Sequence, residues 1–173
     1  MSTIHLLLDA ARMEDAMDQA RTLNPLHVSL YRNKEGNEEI LPSVAPFLFT
    51  YPYNDEFSDL ILTEGWGNSW GLWLESEVEF EELYKHFRRF LTVRTEEGQD
   101  LYFRFYDPRV LRIFLPTCDI DQLRAFFGPV TQFIMEDEDH AHCIIFSLWN
   151  DELFVDQQDA AHIRYILNSE TSF

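Results

Sequence analysis

LYFRFYDPRV, residues 101–110, runs from a strand pattern straight into a helix start. Leu101, Phe103 and Phe105 alternate with Tyr102, Arg104 and Tyr106, the two-residue period that sends successive side chains to opposite faces of a sheet. Asp107 then supplies a helix N-cap carboxylate, and Pro108 takes the first helical position, where a missing N–H costs little. In this reading Arg104 lies between two tyrosines, and a guanidinium so placed can stack on rings while forking toward a carboxylate. Arg109, in the first helical turn, is badly placed for the helix dipole and calls for a tertiary partner or solvent. Arg104, Asp107 and Arg109 are therefore read as a structural latch joining strand, cap and helix, with a grip on a ligand as the competing use.

Working outward, the same alternation of strand and helix recurs. Upstream, Thr92–Thr95 pairs with Leu101–Tyr106 through the loop EEGQD. SEVEFEELYKHFRRFL (76–91) predicts a helix, with Ser76 and Glu79 as a capping box and Phe80, Leu83, Tyr84, Phe87 and Leu91 as one apolar stripe. Residues 55–63 predict a short helix. PSVAPFLFTYPYNDEF (42–57) is broken by Pro42, Pro46 and Pro52, each lacking a ladder donor, and reads as an edge strand or a loop. Residues 26–31 predict a strand followed by the polar turn NKEGNEE (33–39), and residues 4–8 a strand that Asp9 caps into a helix. Downstream, Asp119 with Gln122 caps a helix that Gly128-Pro129 ends. Residues 131–135 and 143–148 pair around the acidic tip EDEDHAH, and an amphipathic piece covers 157–167. The expected fold is α/β, one compact domain with a mixed β-sheet flanked by helices, with α+β as the alternative. Residues 131–173 form a hairpin and helix packed on the domain begun by 4–130.

Composition narrows the function classes. Acidic residues outnumber basic ones 31 to 13, for a formal charge of -18, which disfavours nucleic acid and anionic membrane as partners. A hydrophobic share of 46% argues for a folded domain, and two cysteines suit reduced thiols in a cytoplasmic protein. No leader pattern or membrane-length apolar run is visible, so a cytoplasmic location is expected.

Three stretches are candidates for chemistry or contact. EGWGNSWG (64–71) is glycine-rich, but it leads into a strand pattern, lacks a lysine and fits no nucleotide fingerprint. Its Trp66 and Trp70, with Phe47, Phe49, Tyr51 and Tyr53 from PFLFTYPY (46–53), are candidate anchors for a partner protein, and core packing is their ordinary alternative. DEDHAHC (137–143) offers zinc-type ligands without a second cluster to complete a site, so no metal or cofactor is expected. No serine elbow or cysteine–histidine signature is present, and no catalytic residue is assigned.

Taken in series, HLLLDAAR (5–12), GWGNSWGLWLES (65–76), LYKHFRRFLTVRT (83–95), LYFRFYDPRVLRIFLP (101–116) and LRAFFGPV (123–130) resemble the bacterial type VI secretion adaptor chaperones, a family first catalogued as a domain of unknown function. The resemblance implies a non-enzymatic cytoplasmic protein that binds a secreted toxin effector and helps load it onto the spike protein of the secretion tube. Asp9, Gly65, Trp66, Gly67, Trp70, Gly71, Arg104, Asp107 and Arg109 match the shared segment, and the resemblance assigns none of them a catalytic role. It also implies that many members carry a longer C-terminal part for choosing cargo, whereas this sequence ends soon after the shared segment. Two other classes stay open: an immunity-type protein neutralising a toxin, and a small hydrolase built on Arg104, Asp107, Arg109 and a histidine.

Overall fold

Strand β1 (Thr3–Asp9) is apolar at consecutive positions because both of its faces are covered. Leu6 and Leu8 enter one core and Leu7 the other, all fully buried. The computed structural model describes residues 2–31 and 42–169; the turn expected at 33–39 lies outside the described residues. The chain continues through β2 (His27–Ser29), β3 (Pro46–Tyr51), β4 (Gly71–Ser76), β5 (Thr92–Arg94), β6 (Asp100–Tyr102), β7 (Val130–Glu136), β8 (His142–Trp149) and β9 (Glu152–Asp159). Seven of these make one sheet in the order β2-β3-β1-β4-β7-β8-β9, and β5-β6 is a separate hairpin. Helices and sheet form the expected α/β domain, and every described ladder is antiparallel.

The helices divide between the two faces. On the first lie α1 (Ala10–Met13), α2 (Ala16–Leu23), α3 (Asp55–Asp59) with the π-helical turn Leu60–Gly65 that continues it, and, after three further helices, the last one at Ala160–Ser169. On the second lie α4 (Phe80–Arg88), α5 (Pro108–Phe114) and α6 (Ile120–Phe127); the last helix is α7. The second core is a phenylalanine cluster, with Phe87 stacked on Phe105 at 5.5 Å and Phe126 on Phe133 at 5.4 Å. Aromatic pairs of this kind add about 0.5–1.5 kcal/mol each beyond the area they bury. No helix among the described residues is long and apolar enough to cross a membrane.

Four local expectations are corrected. The segment read as an edge strand or loop is β3, an interior strand between β2 and β1: Pro46 is its first residue, where no ladder donor is needed, and Pro42 and Pro52 fall outside it. The capping box at Ser76 and Glu79 does not form. Ser76 ends β4 and donates its hydroxyl to the Pro129 carbonyl at 2.9 Å, and the helix begins at Phe80 with Glu79 as its cap. Strand β6 stops at Tyr102 where the alternation ran to Tyr106, because Phe103 and Phe105 turn down into the helical layer, Phe103 meeting Phe114 at 4.6 Å. Finally, residues 157–159, the start of the amphipathic piece expected over 157–167, belong to an additional strand, β9, and the last helix begins at Ala160.

One consequence of this packing is acid sensitivity. His5 is buried beside Phe80, its Nε2 lies 3.0 Å from Thr3 Oγ1, and its Nδ1 has no hydrogen-bond partner among the described residues. Burial pushes its pKa down from 6.5 to about 4. His86, buried between α4 and α6 with Nε2 donating to the Phe126 carbonyl at 2.7 Å, is lowered for the same reason. Between those two values the unfolded chain binds the proton that folded His5 refuses, so the stabilising contribution is complete above pH 6.5 and is lost as pH falls toward 4. At about 1.4 kcal/mol for each tenfold change in proton affinity, the depression at His5 is worth about 3 kcal/mol. Urea unfolding followed from neutral to acid pH is expected to show this slope, and His5→Leu to flatten it.

Candidate functional site

The charged groups singled out in the sequence converge on two buried carboxylates, one at the C-terminal end of the interior strand β1 and one at the N-terminus of α5. Asp9, at the end of β1, caps α1 by accepting the Ala11 amide at 3.0 Å, while its own N–H donates to the Trp70 carbonyl at 2.8 Å. Asp107 caps α5, accepting the Arg109 amide at 2.9 Å, with Pro108 at the first helical position as expected. Arg109 folds back on its own cap and grips Asp107 with Nε at 3.1 Å and Nη2 at 2.7 Å. Arg104 bridges the two acids, donating to Asp9 and standing 3.6 Å from Asp107. Both carboxylates are fully buried and both guanidiniums about half exposed. Nearby, Tyr31 and Tyr106 share a hydrogen bond; burial raises the pKa of both and keeps both phenols protonated.

Each carboxylate thus holds one helix cap and at least one guanidinium, and two negative charges meet two positive ones. The arrangement ties β1, α1, α5 and the Arg104 turn together. It joins the latch expected at Arg104, Asp107 and Arg109 to a fourth member, Asp9, which the sequence revealed only as a cap.

The glycine-rich loop does bind an anion, and the anion is the protein's own. Glu136, buried at the end of β7, accepts the Gly67 amide at 2.7 Å, the Ser69 amide at 3.0 Å and the Ser69 hydroxyl at 3.1 Å. With Gly67 at φ +86 and Ser69 at φ +55, the two alternate amides point at one carboxylate while the Asn68 amide between them donates to the Gly65 carbonyl. Arg112 of α5 donates to the Glu136 main-chain carbonyl at 2.8 Å, so the loop, β7 and α5 meet at this residue. The sequence hid Glu136 inside an acidic run that read as a solvated tip. Glu136→Gln replaces a charged acceptor of three donors with a neutral one, and is expected to lower stability by about 2 kcal/mol and to speed amide exchange at Gly67 and Ser69.

The aromatic anchors are corrected in turn. Phe47, Phe49, Tyr51 and Trp70 are buried, because β3 and the tryptophan loop are covered by the first helical layer, and they cannot meet a partner. Trp66 is half-buried, with Nε1 donating to the His140 carbonyl at 2.9 Å, and Tyr53 is partly exposed. The large aromatics that face solvent include Trp149 (68% exposed) and Phe154 (46%), on the β8–β9 hairpin. Its turn residues Asn150 and Asp151 both have positive φ, as the two-residue hairpin geometry demands. That asparagine–aspartate pair between apolar runs was the available signal for both strands.

The family model described as "Domain of unknown function (DUF4123)" matches residues 4–125. The chain belongs to the DUF4123 family. No curated protein and no solved structure matches it. In this DUF4123 protein the matched span runs from β1 into α6 and contains Asp9, Arg104, Asp107 and Arg109. Glu136, Trp149 and Phe154 lie beyond it, on strands that complete the same sheet.

Proposed function

We propose that this DUF4123 protein is a non-enzymatic adaptor chaperone that binds a type VI secretion effector in the cytoplasm and helps load it onto the spike. The observation that carries the reading is the internal saturation of its polar clusters: Asp9 and Asp107 are occupied by caps and guanidiniums, and the loop amides by Glu136. Residues that could otherwise have served hydrolysis or phosphate binding are engaged in bracing. Exposed Trp149 and Phe154 supply the apolar contact that a binding protein needs, and the ordered series of sequence motifs supplies the kind of partner. The test is affinity purification of the tagged protein from its own host with quantitative mass spectrometry. An adaptor brings down both a toxin and a spike protein, binding the toxin outside its active domain. An immunity protein blocks that domain and ignores the spike, and a hydrolase brings down neither.

A further inference from the structure

The first helical layer stops short of one corner of the sheet. In the ladder registers Glu75 of β4 faces Gln132 of β7, Gln132 faces Ser147 of β8, and Ser147 faces Phe154 of β9. Partners in register share a face, so these four side chains form a row across the strands. Trp149 lies two residues beyond Ser147 on the same face, opposite Glu152. The result is an open trough of about 820 Å3 with two exposed aromatic rings at one end. Among the described residues the charged side chains in its lining are Glu75 and Glu77, with no lysine or arginine. The nearby Arg124 is held by Asp151 and Asp121.

We propose that this trough is the docking site for an extended, basic segment of a partner polypeptide. One apolar side chain of that segment sits between Trp149 and Phe154, and its lysines or arginines lie against Glu75, Glu77 and Glu152. The sign of the charge selects the occupant. Exposed aromatics accept an apolar side chain, and a rim of carboxylates, with Glu75 accepting the Ser2 hydroxyl and no lysine or arginine in the lining among the described residues, in a protein of net charge -18 repels acidic chains and draws in basic ones. A second copy of this acidic chain is disfavoured for the same reason. The inference rests on the reading that the protein acts by binding another polypeptide, and it names the surface and the chemistry recognised.

The probes are two labelled synthetic peptides with the same leucines and valines, one interspersed with arginine and lysine, the other with glutamate. Fluorescence anisotropy is expected to show wild-type protein binding the basic peptide, weakening as salt is raised, and not binding the acidic one. The double variant Trp149→Ala, Phe154→Ala is expected to lose at least about tenfold in affinity. Glu75→Gln with Glu77→Gln should lower affinity and flatten the salt dependence, and Tyr165→Ala, on exposed α7, should change nothing. Absence of binding by the wild type, equal binding of the acidic peptide, or wild-type affinity in the folded aromatic variant would each overturn the proposal. Host purification separates the two readings. If the aromatic variant still brings down toxin and spike, the trough is wrong and the adaptor reading stands. If wild type binds the basic peptide yet brings down neither, the adaptor reading falls and the trough remains.

Discussion

Gly71→Ala is expected to destabilise the protein by about 4–5 kcal/mol, more than most single substitutions, enough to leave a marginal domain largely unfolded at physiological temperature. A Cβ at this position would stand 1.9 Å from the Leu7 carbonyl oxygen, 2.9 Å from its carbon and 3.0 Å from the Leu8 Cα. All three atoms belong to the backbone of β1, which is paired on both sides, to β3 and to β4. No side chain can move aside. Relief requires the strands to part where Leu8 faces Gly71, next to the bond from Asp9 to Trp70. At about 2–4 °C per kcal/mol for a chain of this size, the melting temperature should fall by roughly 10–15 °C. Thermal denaturation by circular dichroism gives the answer, and a fall of only a degree or two would mean that β1 and β4 are less tightly apposed than described.

Arg104→Met is expected to cost about 3 kcal/mol while leaving the exposed Trp149 and Phe154 untouched. The substitution keeps an unbranched stem about as long as that of arginine up to Nε and removes the cation bridging Asp9 and Asp107. Asp107 retains Arg109, but Asp9 is left as a buried carboxylate with the Ala11 amide as its remaining described donor. The half exposure of Arg104 moderates the loss, since water screens one side of the pair. Asp107→Asn should cost a similar amount, since it weakens the Arg109 fork and a helix cap together. Chemical denaturation would show both variants shifted in midpoint with an unchanged slope, and host purification at low temperature would show the folded fraction still carrying its partners. Loss of partner capture at full stability would assign Arg104 to recognition.

What the sequence disclosed followed from local chemistry. Asp107-Pro108 and the Asp119–Gln122 box were legible because capping depends on residues within one turn, and both are present. The helical stripe of Leu83 and Phe87 was legible because its period of 3.6 needs no knowledge of the partner surface. Tertiary competition hid the rest. Ser76 has the right chemistry for a cap, yet it is held as the last residue of β4, its hydroxyl donating to the Pro129 carbonyl and accepting the Val78 amide, and the helix starts only at Phe80. The alternation in residues 101–106 is genuine, but Phe105 gains more from stacking on Phe87 than from prolonging a two-stranded hairpin. Burial of Phe47 and Phe49 could not be separated from exposure, because a strand covered on both faces and an apolar binding strip share one composition. For the candidate site, Arg104 and Asp107 were placed in one cluster by proximity in sequence. Asp9 and Glu136 belong to contacts that span 95 and 69 residues, and only the sheet topology brings those together.

The central claim is that the charged signature of this DUF4123 protein braces the fold, which leaves binding to the exposed surface. It is tested most directly by a double-mutant cycle on Asp9→Asn and Arg104→Met in urea unfolding. The account predicts a coupling energy of about 1–3 kcal/mol, with the double variant more stable than the sum of the single losses allows. Single variants as stable as wild type, or single losses that add without coupling, would contradict it.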